Sequence, residues 1–154
     1  MKTDAPTHIH IKEGATPRIV TTARRIPLRY ECKAETVQEL IEKGVIVPAN
    51  ETTDWCSPAF FVPKGDKIRV MLVTDYTELN KHVKCPIHPF SSTKEILQAV
   101  PKNAKVFAKL DAVHGYFQLR LDEASSKITT FLLPQGKFRC LRAPMGLNAS
   151  SDNA

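Results

Sequence analysis

Asp111 is the residue of this sequence whose type and position most suggest chemistry. It follows residues 105–110, where Val106, Ala108 and Leu110 recur at every second position, a pattern typical of a short β-strand. A carboxylate at the end of a buried strand is costly to hold without a partner. It could cap the element that follows, which the local sequence favours, or bind a hard cation such as Mg²⁺, which takes oxygen ligands.

Lys64 and Arg69 form a second group with chemical potential. Residues 59–63 and 68–74 are predicted strands, and residues 64–67 have the composition of the turn that joins them. Two basic side chains near the tip of such a hairpin could project toward one phosphate group. The alternative interpretation is an ordinary solvated hairpin tip.

Helices and strands alternate along the chain without a fixed repeat. The apolar periodicity predicts a helix over residues 35–43, ended by Gly44, and residues 92–95 have capping-box spacing ahead of a second helix. Residues 128–133 and 137–141 are predicted to form a second hairpin. These elements favour the α+β class.

His8 and His10 alternate with isoleucines in a short strand-like stretch. They could ligate a metal, but the solvent face of a strand is the simpler interpretation. Four cysteines are too far apart for a zinc or redox motif, and we expect reduced, partly buried thiols: Cys32, Cys56, Cys85 and Cys140.

The composition allows one modest domain with a core, since 42% of the 154 residues are hydrophobic. The net charge of +6 favours polyanionic partners, although a solvated basic surface is an equal alternative from charge alone. No apolar run approaches the ~20 residues that span a bilayer, and the first residues do not resemble a signal peptide. We therefore expect an intracellular, soluble protein.

Short motifs in a fixed order extend from about residue 18 to residue 151. They are RRIPL (24–28), GVI (44–46), DWCSP (54–58), FVPK (61–64), KIR (67–69), DYTELNK (75–81), PIHPF (86–90), FAKLD (107–111), GYFQ (115–118), TF (130–131), GKFR (136–139) and APMGL (143–147). In this order and spacing they resemble the reverse transcriptases of gypsy-type long-terminal-repeat retrotransposons. An individual motif would be weak evidence, whereas the ordered set is specific.

The resemblance implies roles for individual residues. Asp111 would be the catalytic ligand of Mg²⁺ or Mn²⁺, and Lys64 and Arg69 would neutralise the charge of a deoxynucleoside triphosphate. Tyr116 would pack under the nucleotide sugar and reject a ribose 2′-hydroxyl, although without the resemblance a core aromatic is the simpler interpretation. Gly115 would allow close approach of the backbone to that sugar.

Two further residues, Met145 and Gly146, would position the pair of template base and nucleotide. The resemblance also implies a fingers-like region over residues 18–104 and a partial palm over residues 105–154, with residues 1–17 as an extension or linker. The expected partners are an RNA or DNA template with its primer, deoxynucleoside triphosphates and the remainder of the polymerase.

The sequence departs from the family pattern at two important places. Arg69 and Asp75 are about two residues further apart than in the family, so we expect a bulge or a change of face in that strand. The second aspartate motif, of the Tyr-x-Asp-Asp type, would lie beyond Leu147 and is absent from these residues. We therefore expect no polymerase activity from this chain alone, and an uncovered sheet edge near Asp111.

Two alternatives to a polymerase fragment stay open at this point. One is a non-catalytic nucleic-acid-binding remnant of a retroelement, which would share the basic surface. The other is an unrelated α+β binding protein whose motif matches arise by chance.

Overall fold

The computed structural model describes residues 5–24, 34–63, 70–84, 92–109 and 115–148. These residues form an α+β fold around a five-stranded mixed sheet, with strand order β1-β5-β4-β2-β3. The strands are β1 (Ile46–Pro48), β2 (Ser57–Pro63), β3 (Val70–Thr74), β4 (Phe131–Leu133) and β5 (Gly136–Cys140). The helices are α1 (Ala34–Glu42), α2 (Thr77–His82), α3 (Thr93–Ala99) and α4 (Glu123–Ile128), and Gly115–Gln118 form a 3₁₀ turn.

The first predicted helix is confirmed as α1, within one residue at each end. Its Val37 is buried, and Leu40 packs against the core of the sheet. Gly44 adopts a φ of 62° and its N–H donates to the Ile41 carbonyl at 2.9 Å, while the Val45 N–H donates to the Leu40 carbonyl at 2.9 Å. This pair of hydrogen bonds ends the helix, because it satisfies carbonyls that have no partner in the next turn.

Strands β2 and β3 confirm the first predicted hairpin. They pair antiparallel without interruption from Ala59 opposite Thr74 to Pro63 opposite Val70. The two additional residues between Arg69 and Asp75 therefore produce no bulge in the described part of this ladder. The tip of the hairpin, residues 64–69, lies outside the described residues.

The second predicted hairpin is confirmed for β4 and β5, which pair antiparallel from Phe131 opposite Phe138 to Leu133 opposite Gly136. Residues 128–130 were expected to extend β4, and this part of the prediction is wrong. The Thr129 hydroxyl donates to the Ser126 carbonyl at 2.8 Å and the Thr130 hydroxyl donates to the Lys127 carbonyl at 2.6 Å. These bonds hold the threonines in the turn that ends α4, because they supply hydrogen-bond donors to carbonyls in the last turn of that helix.

The strand predicted over residues 105–110 is also wrong for its described part, residues 105–109. These residues form no strand and are exposed, with Val106 at 87% and Phe107 at 73%. Alternating apolar residues make a strand only when another strand pairs with them, and no described segment does so here. The capping box before the second predicted helix, by contrast, is present at Ser92 and Glu95 of α3.

Two clusters of buried side chains form the core. The first lies on the sheet around Ala59, Phe131 and Leu133, each at most 1% exposed. The second cluster joins α2 to the N-terminal segment, residues 5–20, through Leu79 and Ile9. Within this second cluster the Tyr76 hydroxyl donates to the Thr129 carbonyl at 3.0 Å and lies 3.5 Å from the Cys140 sulfur, so that it links α2 to β5.

Burial raises the pKa of the Cys140 thiol to about 11, so this thiol is protonated at neutral pH. Cys56 is also free and buried. The expected burial is confirmed for these two cysteines, and their reduced state stays a prediction. Cys32 and Cys85 lie outside the described residues.

Residues 5–20 run along the domain and make backbone contacts with three of its parts. Isolated bridges join Thr7 to Leu121, Ile11 to Val83 and Ile19 to Cys56. The segment expected to be an extension or linker therefore packs on the domain over its described residues. The division into fingers-like and palm regions stays a prediction.

The longest helix of the described residues is α1, with nine residues. It is too short to cross a bilayer, and the same holds for every other helix in that part of the chain.

Candidate functional site

The structure describes four of the seven predicted site residues: Gly115, Tyr116, Met145 and Gly146. Asp111, Lys64 and Arg69 lie outside the described residues, so their predicted roles stay predictions.

The four described residues lie on two segments that are joined by a short antiparallel ladder. The Leu121 N–H donates to the Leu141 carbonyl and the Ala143 N–H donates to the Leu119 carbonyl, both at 3.0 Å. Because the two segments run in opposite directions, the chain before Leu119 and the chain after Ala143 leave the ladder at the same end. Tyr116 lies in the segment before Leu119, and Gly146 lies in the segment after Ala143.

Tyr116 occupies the 3₁₀ turn that precedes the ladder, and its carbonyl accepts from the Leu119 N–H at 3.1 Å. Its neighbour Phe117 packs against the sheet core, while Tyr116 is half-buried. Met145, across the ladder end, is 45% exposed. Both predicted contact side chains are thus accessible to a ligand.

Gly146 forms a turn that only a glycine adopts readily, with a φ of 84°. The amide of Asn80 on α2 spans this turn. Its Nδ2 donates to the Gly146 carbonyl at 2.8 Å, and its Oδ1 accepts from the Asn148 N–H at 2.9 Å. We did not predict this contact, although Asn80 lies in the DYTELNK motif.

The start of α2 is fixed in turn by Asp75. One carboxylate oxygen accepts from the Thr77 hydroxyl at 2.7 Å and from the Thr77 N–H at 3.2 Å, and the other pairs with Arg24 at 3.1 Å. The hydrogen bonds from Thr77 and the charge of Arg24 lower the pKa of Asp75. Asp75 thus positions α2, which in turn presents Asn80 to the turn at Gly146.

Loss of the Asn80 amide should loosen the turn at Gly146. We expect Asn80→Ala to lower the free energy of unfolding by about 1–2 kcal/mol, because a net hydrogen bond contributes ~0.5–1.5 kcal/mol. Urea denaturation followed by circular dichroism measures this change. Lys81→Ala, on the same helix, is the control: it removes only an exposed pair with Glu78 and should change stability by less than about 0.5 kcal/mol. Equal midpoints for both variants would contradict the role of Asn80.

The described residues do not by themselves supply a metal site. They contain no group of three or more histidine, cysteine, aspartate or glutamate side chains that could hold a metal ion. His8 and His10 are exposed on either side of buried Ile9, as the interpretation of a strand's solvent face predicts. His8 pairs with Asp122, which also caps α4 by accepting from the Ser125 N–H at 2.7 Å.

A cavity of about 270 Å³ lies between the N-terminal segment, the start of β2 and α2. Its charged side chains pair with one another, Arg18 with Glu78 at 3.4 Å and Arg24 with Asp75 at 3.1 Å. None of the described predicted site residues lines it. The cavity is therefore separate from the ladder end.

No protein-family profile matches the chain. Individual relatives do. The chain is 34% identical over 122 residues to the retrovirus-related Pol polyprotein from transposon 412 of Drosophila melanogaster, a match that covers 76% of this chain and 10% of the relative. It is 31% identical over 124 residues to the enzymatic polyprotein of figwort mosaic virus, covering 79% of this chain and 18% of that protein. The chain thus spans less than a fifth of the length of these relatives.

Solved structures share the fold. The protease-reverse transcriptase of prototype foamy virus matches with a TM-score of 0.77 and 23% identity, covering 96% of this chain and 19% of that one. The foamy viral protease-reverse transcriptase in complex with an RNA/DNA hybrid matches with a TM-score of 0.72 and 22% identity, covering 93% and 19%. At these identities the likeness establishes the fold alone.

Proposed function

Because this chain belongs to the Pol polyproteins of retrotransposons and related viruses, with a fold like that of reverse transcriptase, we propose that it forms a nucleotide- and template-binding part of an RNA-directed DNA polymerase. One structural observation supports this most strongly. The segments that contain Tyr116 and Gly146 continue from the same end of one ladder, and the Asn80 side chain is hydrogen-bonded to the Gly146 carbonyl.

The proposal gives each described residue a physical task. The half-buried ring of Tyr116 packs under the sugar of the incoming nucleotide, and Gly115 lets the backbone come close to it. Met145, in the segment after Ala143, contacts the base pair formed with the template. Gly146 provides the positive φ that the turn after Met145 requires.

Three further assignments concern residues outside the described part. We propose that Asp111 binds the catalytic Mg²⁺ or Mn²⁺, and that Lys64 and Arg69 contact the triphosphate. Bound divalent metals supply stabilisation of the attacking and leaving oxygens during phosphoryl transfer. The lysine and arginine neutralise phosphate charge, and the planar guanidinium of Arg69 is suited to two parallel hydrogen bonds.

We propose nucleic acid as the macromolecular partner. The foamy viral enzyme has been solved with an RNA/DNA hybrid and with double-stranded DNA, and this chain carries a net charge of +6. Basic side chains bind backbone phosphates without reading sequence. The template strand with its primer is therefore the proposed ligand, and the proposed site for the deoxynucleoside triphosphate is the end of the ladder from which both segments continue.

Fluorescence anisotropy with a labelled RNA/DNA hybrid tests this proposal on the 154-residue chain. We expect binding that does not depend on the sequence of the hybrid. The logarithm of the association constant should fall linearly with the logarithm of the salt concentration, with a slope of roughly −0.7 to −0.9 for each phosphate contacted. The same preparation should not extend the primer with Mg²⁺ and deoxynucleoside triphosphates, since the chain contains no Asp-Asp pair. Absence of hybrid binding at low salt would contradict the proposed function, and template-directed extension would contradict the expected inactivity.

A further inference from the structure

Two arginines lie directly opposite each other on the ladder that carries the candidate site. Arg120 and Arg142 are partners in an antiparallel bridge. The two hydrogen bonds of the ladder flank them, so they form a non-hydrogen-bonded pair, whose Cα atoms approach to about 4.5 Å. Side chains at such a pair project from the same face and are close together.

Neither guanidinium forms an ion pair with a carboxylate of the described residues. The nearest acidic residue along the chain, Asp122, is occupied by the Ser125 N–H and by His8. Arg142 has one weak polar contact, from its Nη1 to the Gln118 carbonyl at 3.5 Å. This contrasts with Arg139, which pairs with Glu51 at 3.6 Å.

The arrangement opposes the stability of the fold. Like charges directly opposite each other across two strands are destabilising, and an arginine cannot lose its proton to relieve the repulsion. An anion placed between the two side chains would remove the repulsion and accept several charge-assisted hydrogen bonds. Arg120 is exposed and Arg142 is half-buried, so such an anion can reach both.

We propose that Arg120 and Arg142 together bind one backbone phosphate of the template–primer duplex. This inference rests on the proposed function and adds a specific anchor to it. Gln118, Tyr116 and the turn at Gly146 all lie toward one end of the same ladder. A phosphate fixed by the arginine pair would therefore set the position of the duplex relative to the nucleotide site.

The double substitution Arg120→Gln and Arg142→Gln tests the anchor in the hybrid-binding assay. We expect roughly a tenfold loss of affinity and a salt dependence weaker by about one phosphate contact. The matched control is Lys43→Gln with Lys81→Gln, which also removes two positive charges. Both lysines are 61% exposed, and each pairs with a glutamate three or four residues before it in the sequence. The control should change affinity by less than about twofold.

A second variant gives a result even if the double substitution fails to fold. Arg142→Glu places a carboxylate opposite Arg120, so we expect a melting temperature raised by roughly 2 °C together with the loss of hybrid affinity. A fall in melting temperature would indicate a structural role and overturn the anchor.

The other outcomes separate the anchor from the proposed function. Unchanged hybrid affinity in both arginine variants would overturn the anchor and leave the proposed function standing, whereas a wild-type chain that binds no hybrid would overturn both. If dATP without primer displaced the hybrid from the wild type but not from the arginine double variant, the pair would be assigned to a free triphosphate. This result would overturn the assignment to a backbone phosphate. Equal losses in the arginine and lysine double variants would also overturn it.

Discussion

Replacement of Asp111 by asparagine should greatly slow primer extension by a longer chain that joins these residues to the rest of a Pol polymerase. We expect a fall of roughly 10²–10⁴-fold in the single-turnover rate, because loss of a metal ligand removes several kcal/mol of stabilisation of the transition state. Binding of the hybrid should change little, since phosphate contacts elsewhere provide most of the affinity. Rapid-quench extension of a DNA primer on an RNA template measures the rate.

The substitution also distinguishes metal binding from capping. Asparagine caps a helix nearly as well as aspartate, so a residue that only caps would tolerate the change. Asp54→Asn is a suitable control, because it removes one exposed carboxylate distant in sequence from the predicted metal ligand. Equal extension rates for the Asp111 variant, the Asp54 variant and the wild type would contradict the catalytic assignment.

Replacement of Tyr116 by alanine should let the same longer chain incorporate ribonucleotides. The proposed task of the ring is to fill the space that a ribose 2′-hydroxyl would occupy. A steric pocket contributes about 1–3 kcal/mol to such discrimination, so we expect the ratio of kcat/KM for deoxynucleotide over ribonucleotide to fall by roughly 10–100-fold. Steady-state extension with each nucleotide measures this ratio.

Tyr116→Phe is the matched control, because it keeps the ring and removes only the hydroxyl. It should retain the discrimination of the wild type. A ring that served only the hydrophobic core would give a different pattern: Tyr116→Ala would lower the melting temperature and leave the nucleotide ratio unchanged. That pattern would contradict the assignment of Tyr116 to the nucleotide site.

Elements specified by neighbouring residues could be predicted from the sequence. Helix α1 with its glycine end, the β2–β3 hairpin and the capping box of α3 all depend on residues within a few positions of each other. The parallel pairing of β2 with β4 could not be predicted, because it joins Ser57 to Phe131, which are far apart in the sequence. The short helices α2 and α4 have six residues each, too few for a clear period in the hydrophobic pattern.

In the candidate site, too, features set by neighbouring residues could be predicted, whereas contacts between distant segments could not. Its predicted residues came from ordered motifs, and the four described ones lie on the two segments that continue from one end of a short ladder. The contact of Asn80 with Gly146 spans 66 positions and depends on how α2 packs, which no local pattern contains. The opposition of Arg120 and Arg142 likewise depends on the register of two distant segments. The predicted strand before Asp111 failed for a related reason, since its described residues 105–109 have no partner strand.

We propose that this chain is a nucleotide-selecting part of an RNA-directed DNA polymerase. The most direct measurement is single-turnover extension of a DNA primer on an RNA template by a chain in which residues 1–154 continue into the rest of a Pol polymerase. We predict addition of the templated deoxynucleotide by the wild type and its loss in the Asp111→Asn variant. A wild type that binds the hybrid tightly but adds no nucleotide would contradict the claim and indicate a non-catalytic nucleic-acid-binding module.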